Sequence, residues 1–176
     1  NILAIVSAGN SKHRLERIEE YPAAYGGTSG QLSHQLITVA AHDADFALIR
    51  ESNWSPSLVD LAAPGCAIES YTFDGNRAVY DGTSQAAPLV TFVAWLLFSE
   101  GIEGPIQIKN RILASVDVRR TLAGKVASGG SLNPSKALEL HRDVLTLRET
   151  GAIVTGRIDR GIMFPSCNEI TIAFPT

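Results

Sequence analysis

From Thr83 to Ser99 the chain is apolar on nearly every side a helix has, with Ala86, Ala87, Leu89, Val90, Phe92, Val93, Ala94, Trp95, Leu96, Leu97 and Phe98 leaving no continuous polar stripe. A helix of that kind is stable only as an internal element with other structure packed around it. Pro88 falls in its first turns, where a missing N–H costs least. What surrounds such a helix is set by the strands. Ile2-Leu3-Ala4-Ile5-Val6, Leu36-Ile37-Thr38-Val39-Ala40-Ala41 and Leu58-Val59-Asp60-Leu61-Ala62 are apolar runs rather than alternating ones, as expected of parallel strands buried on both faces. Residues 67–71 and 77–80 flank the turn Asp74-Gly75-Asn76, a hairpin signal. Pro105 opens a second helix reaching about residue 116, and Asn133-Pro134 caps a third reaching about residue 143. Buried strands mixed with buried helices predict a three-layer α/β fold, a mainly parallel sheet flanked by helices.

At 176 residues this is one domain or most of one. Lys and Arg number 15 against 18 Asp and Glu, a net charge of −3 with no basic block, so neither nucleic acid nor an anionic membrane is the expected partner. Residues 86–98 form the longest apolar stretch, too short to cross a bilayer and interrupted by Pro88. The chain starts at Asn1, directly before a predicted buried strand, which reads as a cut within a longer protein, incomplete at the N-terminus; any signal peptide would lie upstream. Cys66 and Cys167 fit no metal spacing and are compatible with one disulfide or with two reduced thiols. Residues 12–20 are charged and read as a solvated loop or short helix, with His13 solvated within it; His34 and His42 read as loop or surface groups. His141 ends the third predicted helix, where a cation favours the helix dipole.

The chemistry concentrates in Asp81-Gly82-Thr83-Ser84-Gln85-Ala86-Ala87-Pro88. Ser84 stands at the mouth of the apolar helix, where free N–H groups of the first turn create positive potential for an oxyanion. Gly82 permits close backbone approach, and Ala86 and Ala87 permit tight packing beneath. Taken alone, the octapeptide also allows Ser84 or Thr83 to be no more than an N-cap. It resembles, however, the Gly-Thr-Ser-x-Ala-x-Pro signature of the subtilisin-like serine proteases. Ser7-Ala8-Gly9-Asn10 after a strand, Tyr21-Pro22-Ala23, residues 37–41, Asn53-Trp54-Ser55, the Val59-Asp60-Leu61-Ala62-Ala63-Pro64-Gly65 run and Ser128-Gly129-Gly130-Ser131-Leu132-Asn133 follow in that family's order, so the resemblance covers about residues 1–140.

The resemblance implies that Ser84 attacks a peptide carbonyl and that Asn10, with the Ser84 N–H, holds the oxyanion, while Ser7, Ala8, Gly9, Gly82 and Thr83 line the substrate site. It implies a polypeptide substrate, no cofactor for the chemistry, and export as a secreted or periplasmic enzyme. Structural calcium is compatible with the family, with Asp43, Asp45 and carbonyls near Ala23 as candidate ligands; no metal spacing stands out in the sequence itself. Residues 1–145 would form the C-terminal part of the catalytic domain, and 146–176 a β-rich extension packing on it, with apolar alternation at Ile153-Val154 and Ile170-Thr171-Ile172.

Two departures from the family pattern matter. Gln85 stands where Met is common, removing an oxidation liability beside the nucleophile. The charged residues 12–20 and the stretch 26–33 border the implied S1 pocket, so no relative's specificity transfers. The triad is also incomplete. The family order is Asp, His, Ser, yet the first Asp is Asp43, His13, His34 and His42 all precede it, and His141 lies beyond Ser84. The Asp and His are therefore expected on an N-terminal part of the same protease, a partner without which this chain should be inactive. Two other readings remain at this stage. One is a catalytically silent homologue serving as a binding or scaffold module. The other is an α/β-hydrolase using Ser84, Asp117 and His141, in that fold's chain order, though Ala86 stands where its elbow requires Gly.

Overall fold

The computed structural model describes residues 2–139 and the backbone of 144–149 and 152–157. A five-stranded sheet runs in the order β1 (Ala4–Ser7), β2 (Leu36–His42), β3 (Leu61–Pro64), β7 (Gly130–Ser131), β6 (Asp117–Val118). Pairing is parallel from β1 through β7, and β6 joins antiparallel. The α/β class and mainly parallel sheet are those expected. β4 (Ile68–Tyr71) and β5 (Arg77–Tyr80) form the predicted hairpin, with Ile68 opposite Tyr80.

The pleat explains the two cores. Ile37, Val39, Ala41, Leu61 and Ala63 project to one face, where they pack against α1 (Thr83–Ser99), α2 (Pro105–Ala114) and α3 (Pro134–Glu139). Ala40 and Ala62 project to the other, meeting Ala8, Leu15, Ala23, Val59, Leu122 and Val126 from loops and the 3-10 turn Ala23–Tyr25.

Several expectations need correction. β3 starts at Leu61, not Leu58, because the Ser55 hydroxyl accepts the N–H of Ser57 (3.0 Å) and Leu58 (2.7 Å) and holds that stretch in a turn. α1 is not enclosed on all sides: Phe92, Trp95 and Phe98 are 57%, 59% and 55% exposed, because the sheet, α2 and α3 cover only its other faces among the described residues. His42 is not a surface group. It is 3% exposed at the end of β2, and its Nδ1 lies 2.7 Å from the Asp43 carbonyl, which can only accept, so Nδ1 carries the proton and Nε2 accepts from Ser131 Oγ at 2.7 Å. Burial also lowers its pKa, keeping the ring neutral.

β8 (Val144–Glu149) and β9 (Ala152–Arg157) pair antiparallel, and β8 spans the expected division at residues 145 and 146. His141, Cys167 and the run Ile170-Thr171-Ile172 lie outside the described residues, and with them the choice between a Cys66–Cys167 disulfide and two thiols; Cys66 itself is exposed.

Candidate active site

Two segments far apart in sequence meet at the mouth of α1. β1 delivers the turn at residues 8–10 as it leaves the sheet, anchored where Ala8 N–H donates to the Val39 carbonyl at 2.9 Å. α1 begins after Gly82, whose φ of +148° favours glycine, and a Cβ there would press on Gln85 Oε1 (3.0 Å) and Asn10 Nδ2 (3.1 Å). The chain reaches that point because Gly82 N–H donates to the Gly65 carbonyl at 2.8 Å, tying the helix start to the end of β3.

Thr83 joins the segments and is fully buried. Its hydroxyl accepts from Gly9 N–H (3.2 Å) and donates to Asn10 Oδ1 (3.0 Å), and its own N–H donates to the same Oδ1 at 2.9 Å. A backbone N–H can only donate, so the Asn10 atom facing it must be the oxygen, which fixes the amide's orientation. Asn10 Nδ2 therefore points away, with no hydrogen-bond partner among the described residues, and Ser84 N–H is likewise unpaired in the first helical turn. Ser84 and Asn10 are both exposed. The two unpaired donors lie at the positive end of the α1 dipole, one on Ser84 itself and one on the side chain bonded to Thr83, an arrangement suited to stabilising an oxyanion. Pro88 adds a further feature: lacking an N–H, it leaves the Ser84 carbonyl without its helical partner.

The other predicted site residues divide. Ser7 ends β1, half-buried, and Gly9 lies at the surface of the turn. Ala8 is fully buried with its carbonyl taken by Asn53 Nδ2 (2.9 Å).

Sequence reasoning missed two residues here. Asn53 is fully buried and organises the turn, accepting from Ser11 N–H (3.1 Å) and His13 N–H (2.7 Å) while donating to Ala8. Glu20 folds back from the charged segment and lies against Gly9, where a Cβ would collide with Glu20 Oε2 and Asn53 Nδ2. Only glycine, here at φ +98°, accommodates that contact. His13 Nδ1 sits 3.2 Å from Glu20 Oε1, and its side chain keeps 36% of its surface exposed. Asn53 lay in a matched motif that did not show what it holds, and Glu20 lay in a run of charge.

Asp117 is held by Lys136 Nζ (2.6 Å) and Arg119 (3.3 Å), and is not a free orienting acid. The residues considered for calcium have partners within the chain. Asp43 Oδ1 accepts the N–H groups of Asp45 and Ala47 (both 3.0 Å), and the Ala23 carbonyl accepts Thr38 Oγ1 (2.9 Å). Among the described residues no group of three or more His, Cys, Asp and Glu side chains is arranged to hold a metal, and no helix is long and apolar enough to cross a membrane.

The model of the subtilase family, Peptidase S8, matches residues 1–136. The subtilase-type proteinase RRT12 of Saccharomyces cerevisiae is 38% identical over 127 residues, covering 69% of this chain and 24% of its own length. Halolysin of Haloferax mediterranei is 32% identical over 111 residues, covering 62% of this chain and 19% of its own. Among solved structures, the A-subunit of the AB5 toxin from E. coli superposes with a TM-score of 0.67 at 27% identity, covering 78% of this chain and 50% of that one. A cold adapted subtilisin-like serine proteinase gives 0.53 at 29% identity, covering 72% and 41%. The chain thus spans about a quarter of the yeast relative's length and half of the toxin subunit's.

Proposed function

Because this chain belongs to the subtilase family, we propose that it carries the nucleophile and oxyanion hole of a serine endopeptidase. The observation that carries the reading is the Thr83 tether, which turns Asn10 Nδ2 outward as an unpaired donor at the start of α1, where the first helical turn leaves Ser84 N–H unpaired too. Ser84 Oγ bonds to the scissile carbon as a base removes its proton, and the carbonyl electron pair moves onto oxygen between the two donors. The C–N bond then breaks, the amine leaving with the proton the base returns, and water hydrolyses the Ser84 ester.

The base and its orienting acid are not supplied in family order by this chain, since no His lies between an Asp and Ser84. A His and an Asp from a further, N-terminal part of the same protein complete the proposal, with polypeptide as substrate. Secretion or periplasmic residence belongs to it as well, resting on the family alone and tested by cell fractionation.

The test is fluorophosphonate labelling of the full-length protein followed by peptide mapping. Label on Ser84, abolished in Ser84→Ala, is the expected result. Loss of one oxyanion donor in a protease of this family costs about 100–1,000-fold in kcat, so Asn10→Ala is expected to slow peptide hydrolysis by that order. A full-length protein that folds, binds peptide and takes no label would instead be a silent homologue acting as a binding module.

A further inference from the structure

Glu20 is the one strongly charged group drawn into the turn that carries Asn10, and nothing in the reaction uses it. Its Oε2 lies against Gly9, the residue before Asn10, and Gly9 N–H is itself bonded to Thr83, the residue before Ser84. Successive Cα atoms are about 3.8 Å apart, so the carboxylate sits on the order of 10 Å from where Asn10 Nδ2 and Ser84 N–H would hold a carbonyl oxygen. The substrate residue that owns that carbonyl is the P1 residue. An extended Lys or Arg side chain reaches roughly 6–7 Å from its Cα, and a charge-assisted hydrogen bond adds about 2.8 Å. That span matches.

The carboxylate is also kept ionised and partly open. Asn53, then Ser11 and His13, donate to it and hold its pKa below the ordinary range despite partial burial. A carboxylate offers about four acceptor positions, and the Glu20 side chain keeps 33% of its surface in contact with solvent. Two charged neighbours are engaged away from it. Arg14 pairs with Glu16 at 3.0 Å and lies over the Trp54 ring at 5.3 Å, while Glu19 is bonded by the Tyr21 hydroxyl. A Leu or Phe side chain in the same place would bury apolar surface against a charge that has lost water and gained nothing.

We propose that Glu20 forms the base of the P1 side-chain site and selects substrates with Lys or Arg before the scissile bond. This rests on the endopeptidase reading above, and the experiment separates the two. The full-length protein is first labelled with the fluorophosphonate, which tests the reaction alone. Peptide substrates differing only in P1 (Lys, Arg, Leu, Phe) are then compared by kcat/KM. A preference for Lys and Arg is expected, together with benzamidine as a competitive inhibitor. In Glu20→Gln the Lys-over-Leu ratio should fall about 10–100-fold, the size of one lost charge-assisted hydrogen bond, and Glu20→Asp should restore part of it. A labelled enzyme that prefers Leu or Phe, or whose Lys preference survives Glu20→Gln, overturns the proposal while leaving the protease reading intact. If no label is taken, the protease reading fails, and benzamidine binding followed by tryptophan fluorescence decides for Glu20. Binding that weakens at least tenfold in Glu20→Gln retains the cation site; no binding, or equal binding in both proteins, removes it.

Discussion

Asp60 and Glu20 are both carboxylates facing a basic side chain, yet one is sealed and the other open. Asp60 is fully buried, with Lys109 Nζ 2.6 Å from Oδ1 and the N–H groups of Thr38 (2.8 Å) and Gly27 (3.0 Å) on Oδ2. Lys109 is equally committed, donating also to the carbonyls of Leu36 (2.7 Å) and Gly27 (3.3 Å). That pair fastens α2 to the start of β2 and to the loop at residues 26–30. Glu20 faces His13, whose Nδ1 is 3.2 Å from Oε1, but keeps a third of its side-chain surface in water. A charge whose every position is used by the chain can only hold the fold together, whereas one with a position to spare can hold something else.

The largest effect should come from breaking the sealed pair. Removing one member of a buried ion pair costs about 3–5 kcal/mol, because the other charge is left without compensation. Lys109→Met is expected to lose stability of that order in urea melts, and Glu20→Gln much less, since a half-exposed charge stays hydrated. The sign of the pH dependence sharpens the contrast. Burial already raises the Asp60 pKa, and Lys109 opposes that. Without Lys109 the folded pKa rises further above the unfolded value, so the folded state holds a proton that the unfolded state has released. The deficit of Lys109→Met should therefore shrink as pH falls toward the unfolded carboxylate range near 4 and grow as pH rises through the folded pKa. Equal losses in the two variants at neutral pH would dissolve the distinction.

What separates these sites also separates what could be read from the sequence. The Ser84 octapeptide and the turn ending at Asn10 were legible because each is local: a glycine, a helix start and an amide within a few residues. β2, α1 and the hairpin were legible from period and turn chemistry. β6 and β7, at two residues each, carry too short a pattern to see. Asp60 and Lys109 are 49 positions apart (109 − 60), and Glu20 meets Gly9 only after the charged loop has folded back. Nothing within either segment announces the pairing. The outer face of α1 was misread for a related reason, since an apolar sequence shows what a helix tolerates and not which sides its neighbours cover.

On the open side, the next effect in size concerns the tether. Thr83→Val keeps the shape of the side chain but removes the hydroxyl that serves Gly9 N–H and Asn10 Oδ1 together. A part-buried N–H left unpaired costs about 1–3 kcal/mol. Stability should fall within that range, and the rate of fluorophosphonate labelling should drop about tenfold or more as the Asn10 amide loses its second anchor. A Thr83→Ser variant retains the hydroxyl and should recover most of the rate. If Thr83→Val lowered stability while leaving labelling untouched, Thr83 would belong with Asp60 as a purely structural group.

Glu16 lies between the two extremes and sets the smallest effect. Its Oε1 accepts from Ser55 Oγ (2.6 Å) and Ser57 Oγ (2.7 Å), clamping the charged segment onto the turn that precedes β3, while Oε2 takes Arg14 Nε at 3.0 Å. Burial alone would raise its pKa, but the Ser55 and Ser57 hydroxyls and then Arg14 outweigh that and hold it at about 2, against 4.5 unfolded. A depressed folded pKa contributes stability that is present above pH 4.5 and is lost as pH falls through about 2. Glu16→Gln should therefore flatten the acid limb of the stability curve between those values, leaving neutral pH changed by no more than about 1 kcal/mol, as befits a partly solvated group.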